Sequence, residues 1–294
     1  MSSHPRAPGL LRQFLSVASV TLLSTAGVFG QAAGPEPRKF VDKSAYNLFS
    51  PTPADMMREM APDRPDTTES PFTLDAGHYQ FELSFGEWRK EGGSEELAIL
   101  PTNLKIGLTN NADLQLVVNP YLRTQSAGTS DAGHGDTQVR LKVNLWGNDG
   151  GDGFFGETAL AVMPFIQLPT GADAFSNDDH LEWGVIVPLI LPLPAEFSLT
   201  VMAEFDWVRD GRGGYDTLFV HTASLSREIS GPFAGYIEYV GVQPIDGDGE
   251  YQASLGGGLT YQLSDNVLLD CGAEAGLNSA ADDLRIFAGM SFRL

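Results

Sequence analysis

Asp283-Leu284-Arg285-Ile286-Phe287-Ala288-Gly289-Met290-Ser291-Phe292-Arg293-Leu294 is the stretch that decides the fold. Leu284, Ile286, Ala288, Met290 and Phe292 share one face at period two, and Arg285, Phe287, Gly289, Ser291 and Arg293 share the other. A half-buried strand of a soluble sandwich reads this way, with its apolar face inward. The closing strand of an outer-membrane barrel reads the same way, with its apolar face on lipid and its polar face on the lumen.

Outward from that strand the same texture repeats back to Gly77. Twelve strand-like segments run near 77–88, 95–108, 113–124, 135–147, 156–169, 180–193, 196–209, 214–229, 232–244, 249–263, 266–277 and 283–294. Each is close to the ten or so residues that a tilted barrel strand needs. Leu114, Leu116, Val118 and Leu122 oppose Gln115, Asn119 and Arg123; Val139, Leu141, Val143 and Leu145 oppose Gln138, Arg140, Lys142 and Asn144. Phe197, Leu199, Val201, Ala203 and Phe205 oppose Ser198, Thr200, Glu204 and Asp206. Segments 156–169 and 214–229 are apolar on both faces, so their facing stays open.

The connections alternate as well. Asn110-Asn111-Ala112, Pro194-Ala195, Ser230-Gly231 and Ser264-Asp265 make tight turns on one side, with Gly147 to Gly153 the longer exception. Trp88 to Glu95, Gln125 to Gly135, Gly171 to Asp179, Arg209 to Gly214, Ile245 to Gly249 and Asn278 to Asp282 read as longer loops on the other. An even strand count with short inner turns and long outer loops is the layout of a bacterial outer-membrane barrel. A sandwich would show strands of about five or six residues, roughly half the length seen here. The apolar faces also carry almost no charge, and Phe85, Trp88, Tyr121, Trp146, Trp183, Trp207, Tyr261 and Phe292 sit where interfacial girdles belong. The reading is an all-β, transmembrane, antiparallel up-and-down barrel of about twelve strands over residues 76–294.

The N-terminal third supports export. Arg6 and Arg12 precede the mostly apolar run Phe14 to Gly30, and Gly30-Gln31-Ala32 offers small residues for cleavage, so 1–32 reads as a signal peptide. Loss of Arg6 and Arg12 takes the net charge from −20 to −22, which excludes a nucleic-acid partner, since phosphate neutralisation needs clustered Lys and Arg. Cys271 is the only cysteine, so no internal disulfide forms and no thiolate metal site is expected.

Residues 33–75 are proline-dense and do not alternate. Thr52-Pro53-Ala54-Asp55-Met56-Met57-Arg58-Glu59-Met60 suits one short helix with Thr52 as cap, Pro53 in the first helical position and Asp55 in the first turn. The segment either folds into the barrel as a plug or stays a periplasmic tether.

Several blocks carry a family resemblance. They are Tyr46-Asn47-Leu48-Phe49-Ser50-Pro51-Thr52-Pro53, Met57-Arg58-Glu59-Met60, Asp63-Arg64-Pro65-Asp66-Thr67-Thr68-Glu69-Ser70-Pro71 and Gly77-His78-Tyr79-Gln80-Phe81-Glu82. Gly135-Asp136-Thr137-Gln138, Lys142 through Gly151, Met163-Pro164-Phe165 and Leu168-Pro169-Thr170-Gly171 follow in order. Together they resemble the transporter-like outer-membrane proteins of the putative meta-pathway of phenol degradation family. The resemblance implies a barrel in the outer membrane of a Gram-negative bacterium that passes small, often aromatic or hydrophobic, molecules. It implies no catalytic residue and no cofactor.

Within a barrel, charges on polar faces are the pore-lining candidates: Glu82, Lys105, Arg140, Lys142, Glu204, Asp206, Glu238, Asp270, Glu274, Arg285 and Arg293. Closure of the first strand on the last is expected to set Arg285 and Arg293 beside Glu82. The expected partners are outer-membrane lipid, a small-molecule solute and the barrel-assembly machinery.

Two rival readings are a non-conducting structural or adhesive barrel and a lipid-modifying barrel enzyme built on His221 and Ser224. The second is poorly served, because residues three apart in a strand face opposite ways. Asp246-Gly247-Asp248-Gly249-Glu250 spaces acids like part of a calcium loop but lacks the remaining ligands, so no metal site is expected.

Overall fold

The computed structural model describes residues 42–176, 180–210, 213–247 and 249–294. The leader read over 1–32, the start of the proline-dense segment and Asp248 lie outside the described residues. The strands are β1 (Tyr79–Glu91), β2 (Ser94–Ile99), β3 (Thr102–Thr109), β4 (Ala112–Val118), β5 (Tyr121–Ser126), β6 (Thr129–Gly133), β7 (Thr137–Trp146) and β8 (Ala159–Leu168). They continue with β9 (Glu182–Pro192), β10 (Phe197–Arg209), β11 (Tyr215–Ser230), β12 (Phe233–Pro244), β13 (Gln252–Ser264), β14 (Val267–Gly276) and β15 (Leu284–Arg293).

β2 with β3, β4 with β5 and β6 with β7 are each two halves of one stave, so the sheet has twelve staves. All pairings are antiparallel, and β15 pairs with β1 to close the barrel. The seam runs from Gln80 opposite Arg293 to Lys90 opposite Leu284, with Phe81 stacked on Phe292 at 4.9 Å.

The breaks within staves fall side by side. β1 bulges between Ser84 and Gly86, the next stave breaks at Leu100-Pro101 and the third at Asn119-Pro120. A proline cannot donate to the ladder, and a one-residue slip exchanges the two faces of everything beyond it. Gln80, Glu82 and Ser84 are buried before the bulge; Glu87 is buried beyond it. The same slip overturns one expectation: beyond Pro120, Leu122 pairs with buried Ala98, so Arg123 lies on the outer face, bonded to Ser130 at 3.2 Å.

Two connections expected to be long loops are tight hairpins. β1 turns into β2 through Gly92-Gly93, and β5 turns into β6 through Ala127-Gly128, where φ is 48° and 85°. That pair of positive φ values is what a two-residue turn between right-twisting strands requires. A short helix at Phe154–Glu157 delays β8 to Ala159, three residues later than its expected start.

Burial is inverted relative to a soluble protein. Lys142, Asp113 and Gln115 are wholly buried, while Leu145 is 53% and Ile237 59% exposed. On β15 the alternation read from sequence holds, with Phe287, Ser291 and Arg293 buried and Leu284 and Ile286 exposed. An apolar belt outside and charge inside is stable only where the outside solvent is hydrocarbon. Aromatic pairs mark both rims: Trp183 with Trp207 and Tyr215 at one, Phe233 with Tyr261 at the other.

The two strands left unassigned now have faces. β8 turns Ala159, Ala161, Met163 and Phe165 inward, and Met163 and Phe165 cluster with Ile186 of β9, Met202 of β10 and Val220 of β11. β11 turns Val220, Thr222 and Ser224 inward, leaving Phe219 and His221 outside. These strands were ambiguous because the interior is itself apolar along this wall.

Candidate functional site

The inner charges are organised around one loop. The polar faces of β1, β3, β4 and β7 bring Glu82, Lys105, Asp113, Gln115 and Lys142 together, all of them buried. Asp63 of the N-terminal segment sits between Lys105 and Lys142, forming an ion pair with each. Gln115 Nε2 donates to its carboxylate at 3.3 Å, and its own backbone N–H donates to Glu82 Oε2 at 3.1 Å. Burial alone would raise Asp63, but the two ammonium groups outweigh it and hold the carboxyl well below the usual range.

From Asp63 the loop reaches the opposite wall. Arg64 clamps Asp270 of β14 through Nε at 3.2 Å and Nη2 at 2.7 Å, and donates to Ser84 of β1 at 2.5 Å. The Thr67 and Thr68 amides donate to Glu238 of β12 at 2.9 and 2.7 Å, and the Thr68 and Thr222 hydroxyls meet at 2.6 Å. Glu69 receives Arg140 of β7 at 2.6 Å. Ser70 closes the loop on itself, its amide donating to Asp63 at 3.0 Å while Lys142 donates to its carbonyl at 2.7 Å. A bidentate guanidinium clamp and charge-assisted amide bonds are the stronger class of hydrogen bond.

Two acids of the loop are poorly matched. Burial, then the neighbouring Glu238 carboxylate, push Asp66 up to about 8. Burial, then Asp63, push Glu69 up to about 7 despite Arg140.

Closer to the chain ends a second network ties the segment down. Lys43 lies 3.2 Å from Asp75 and 3.1 Å from Asp149, and Arg58 lies 3.4 and 2.9 Å from the same two acids. The helix expected over 52–60 is only the 3-10 turn Ala54–Met56, capped by Pro53 without a side-chain bond. Thr52 is instead buried, its hydroxyl unpartnered. The reason is that Asp75 accepts the Arg58 amide at 2.8 Å, pulling the chain out of helix right after Met56, so that Met57 is already extended.

Two cavities flank the segment. One of about 810 Å³ opens between Met56, Met57, Met60 and Phe72 on one side and Gln80, Asn148 and Arg293 on the other. One of about 230 Å³ lies between the Arg64–Phe72 stretch and Ile190, Thr200, Ala234, Tyr236 and Leu268 of the far wall.

The structure places all eleven expected charges on inward-facing positions of the barrel. Glu82, Lys105, Arg140, Lys142, Glu238 and Asp270 contact the loop directly; Arg285 reaches Thr67 only at 3.5 Å. Glu274 pairs with Arg285 at 3.3 Å and bonds Ser254. Glu204 and Asp206 stand apart on β10, with one Asp206 oxygen buried and unpartnered.

The pairing expected at the seam is different. Arg285 pairs with Glu87 at 3.0 Å, Arg293 donates to the Arg58 carbonyl at 2.8 Å, and Glu82 takes Lys105. Glu82 lies opposite Ser291 ahead of the bulge in β1, and the bulge turns Glu87 inward within reach of Arg285.

Residues missed from sequence are Asp63, Arg64, Asp66, Thr67, Thr68 and Glu69, together with Asp113, Gln115 and Glu87 in the wall. The charge density of 63–71 was the available signal. Among the described residues no group of three His, Cys, Asp or Glu side chains is placed to hold a metal ion. His221 lies outside, 3.2 Å from the Tyr251 hydroxyl, and Ser224 inside, so they cannot act together.

The family model described as Putative MetA-pathway of phenol degradation matches residues 62–294. The chain belongs to this family. The match to the phenol-degradation family begins one residue before Asp63, so it takes in the whole loop together with the barrel. No curated protein sequence matches the chain.

Among solved structures the fold is similar to an outer membrane channel from Pseudomonas putida F1, at a TM-score of 0.54 and 12% identity over 74% of this chain and 93% of that one. It is also similar to the NanC porin, at a TM-score of 0.50 and 11% identity over 73% of this chain and 100% of that one. These likenesses establish the outer-membrane barrel fold.

Proposed function

We propose that the protein is an outer-membrane channel for passive passage of small, aromatic or hydrophobic molecules, kept narrow by its own N-terminal segment acting as a plug. The observation that carries this is the Asp63–Pro71 loop, bonded to walls on opposite sides of a closed barrel. Twelve staves lie between the eight that side chains fill and the sixteen or more that leave a wide channel, so a single loop can control the bore. The apolar inner cluster Met163, Phe165, Ile186 and Met202 suits a cargo with apolar surface better than a salt. No catalytic residue is assigned, and the channel-like relatives favour that reading over the lipid-modifying enzyme.

The test locks the loop. Thr68→Cys with Thr222→Cys, in a Cys271→Ser background, joins two side chains whose hydroxyls are 2.6 Å apart. In liposomes, uptake of a small aromatic solute is expected to fall on oxidation and return with reductant. Uptake unchanged in the verified cross-linked protein would remove the plug reading, and no uptake by the unmodified protein would remove the channel.

A further inference from the structure

We propose that the cavity of about 810 Å³ beside the N-terminal segment is a binding site for an amphipathic monocarboxylate, an aromatic acid, and that Arg293 receives the carboxylate. Of the four cations lining this cavity, Lys43 and Arg58 share Asp75 and Asp149, and Lys105 is held by Asp63 and Glu82. Arg293 makes no close ion pair among the described residues; Asp75 and Asp265 act on it only at longer range. Its Nε donates to Asn266 Oδ1 at 3.0 Å, Nη1 to the Arg58 carbonyl at 2.8 Å and Nη2 to the Asp265 carbonyl at 3.5 Å. Those are neutral oxygens, and they use three of the five N–H groups that a guanidinium carries. The Nε–H of adjoining Arg58 is buried with no acceptor at all.

The remaining lining sets the class of ligand. Met56, Met57, Met60 and Phe72 give an apolar wall, with thioethers that conform well to flat rings. Asp55, Glu59 and Glu157 line the same cavity in addition to the paired Asp75 and Asp149, and they oppose a second negative charge on the ligand, which is why one carboxylate fits and a dianion does not. The fork geometry of a guanidinium matches a carboxylate, and the volume lies in the range of small-molecule sites, roughly 300–1,000 Å³. The same cavity lies against the segment proposed as plug, so the site deepens the channel reading by naming the cargo class and rests on that reading only for the word cargo.

The experiment is equilibrium binding to the purified full chain in detergent, with benzoate and benzyl alcohol as probes, followed by tryptophan fluorescence or calorimetry. Benzoate is expected to bind more tightly than benzyl alcohol. Arg293→Gln is expected to weaken benzoate about tenfold and leave benzyl alcohol within about twofold. Since Arg293 lies in the closing strand, Met57→Glu serves as the second variant: it puts an acid in the cavity without touching the sheet and should weaken benzoate selectively. Equal binding of both probes to the unmodified protein, or benzoate binding indifferent to both variants, would overturn the site. Because binding is measured without flux, benzoate binding by a barrel that conducts nothing supports the site and removes the channel. Flux without any preference for benzoate does the reverse.

Discussion

The two inner walls of this barrel hold the same loop in opposite ways. Along β1, β3, β4 and β7 the interior is charged, and Lys105, Lys142, Gln115 and Glu82 converge on Asp63 from four strands. Along β8 to β10 the interior carries the apolar cluster Met163, Phe165, Ile186 and Met202, with Glu204 and Asp206 apart from the loop, and this wall holds the loop through the Glu69 amide 3.4 Å from Met202 Sδ. Buried charge is stable only when paired, so the first wall needs the loop. The second is satisfied by its own packing. The loop is thus bonded to β1, β3, β4 and β7 on one side and to Glu238 of β12 and Asp270 of β14 on another, and it is held least by the β8–β10 wall between them.

The strongest way to break that contrast is Asp63→Ala. It removes the acid shared by two buried lysines, and loss of one partner of a buried pair costs about 3–5 kcal/mol. Denaturation midpoints should fall accordingly, and single-channel conductance should rise as the loop loses its anchor. Unchanged conductance at reduced stability would mean that the loop does not limit the bore.

On the apolar wall Met163→Ala should cost about 2 kcal/mol, the low end for truncating a buried methionine. The loop should stay anchored, so conductance should hold while stability falls.

A smaller effect separates the acids from the lysines. Asp66 sits near 8 in the docked loop against an ordinary value of 3.8, so the docked state holds a proton that a released loop gives up. Docking therefore weakens as pH rises through that window, with Glu69, near 7, adding to it. Conductance should increase from mildly acid to alkaline pH, and Asp66→Asn should flatten the response. A rise on acidification instead would reverse the assignment.

Glu82→Gln is the mildest change. Lys105 keeps Asp63, so about 1 kcal/mol is expected, read as a lower temperature for loss of heat-modifiable gel migration with conductance unaltered.

Legibility from sequence followed the solvent. Where one face meets hydrocarbon and the other meets charge, as on β7 and β15, period-two alternation gave strand, face and approximate ends. On β8 and β11 the inner face is apolar too, so the pattern carried no facing information. At Pro101 and Pro120 a local break exchanged the faces, which is why Arg123 turned out on the outer side. The hairpins at Gly92-Gly93 and Ala127-Gly128 looked like loops because polar strand ends that reach past the membrane have no apolar side to mark them.

The sequence by itself determined a closed outer-membrane barrel and its twelve staves, because alternation against lipid is a local property of each strand. Only the tertiary structure decided which charges meet. Glu82 finds Lys105, Arg285 finds Glu87, and Arg293 is left with neutral oxygens. Partners across a barrel depend on stagger, on one bulge in β1 and on a loop that joins opposite walls. None of those leaves a period in the chain.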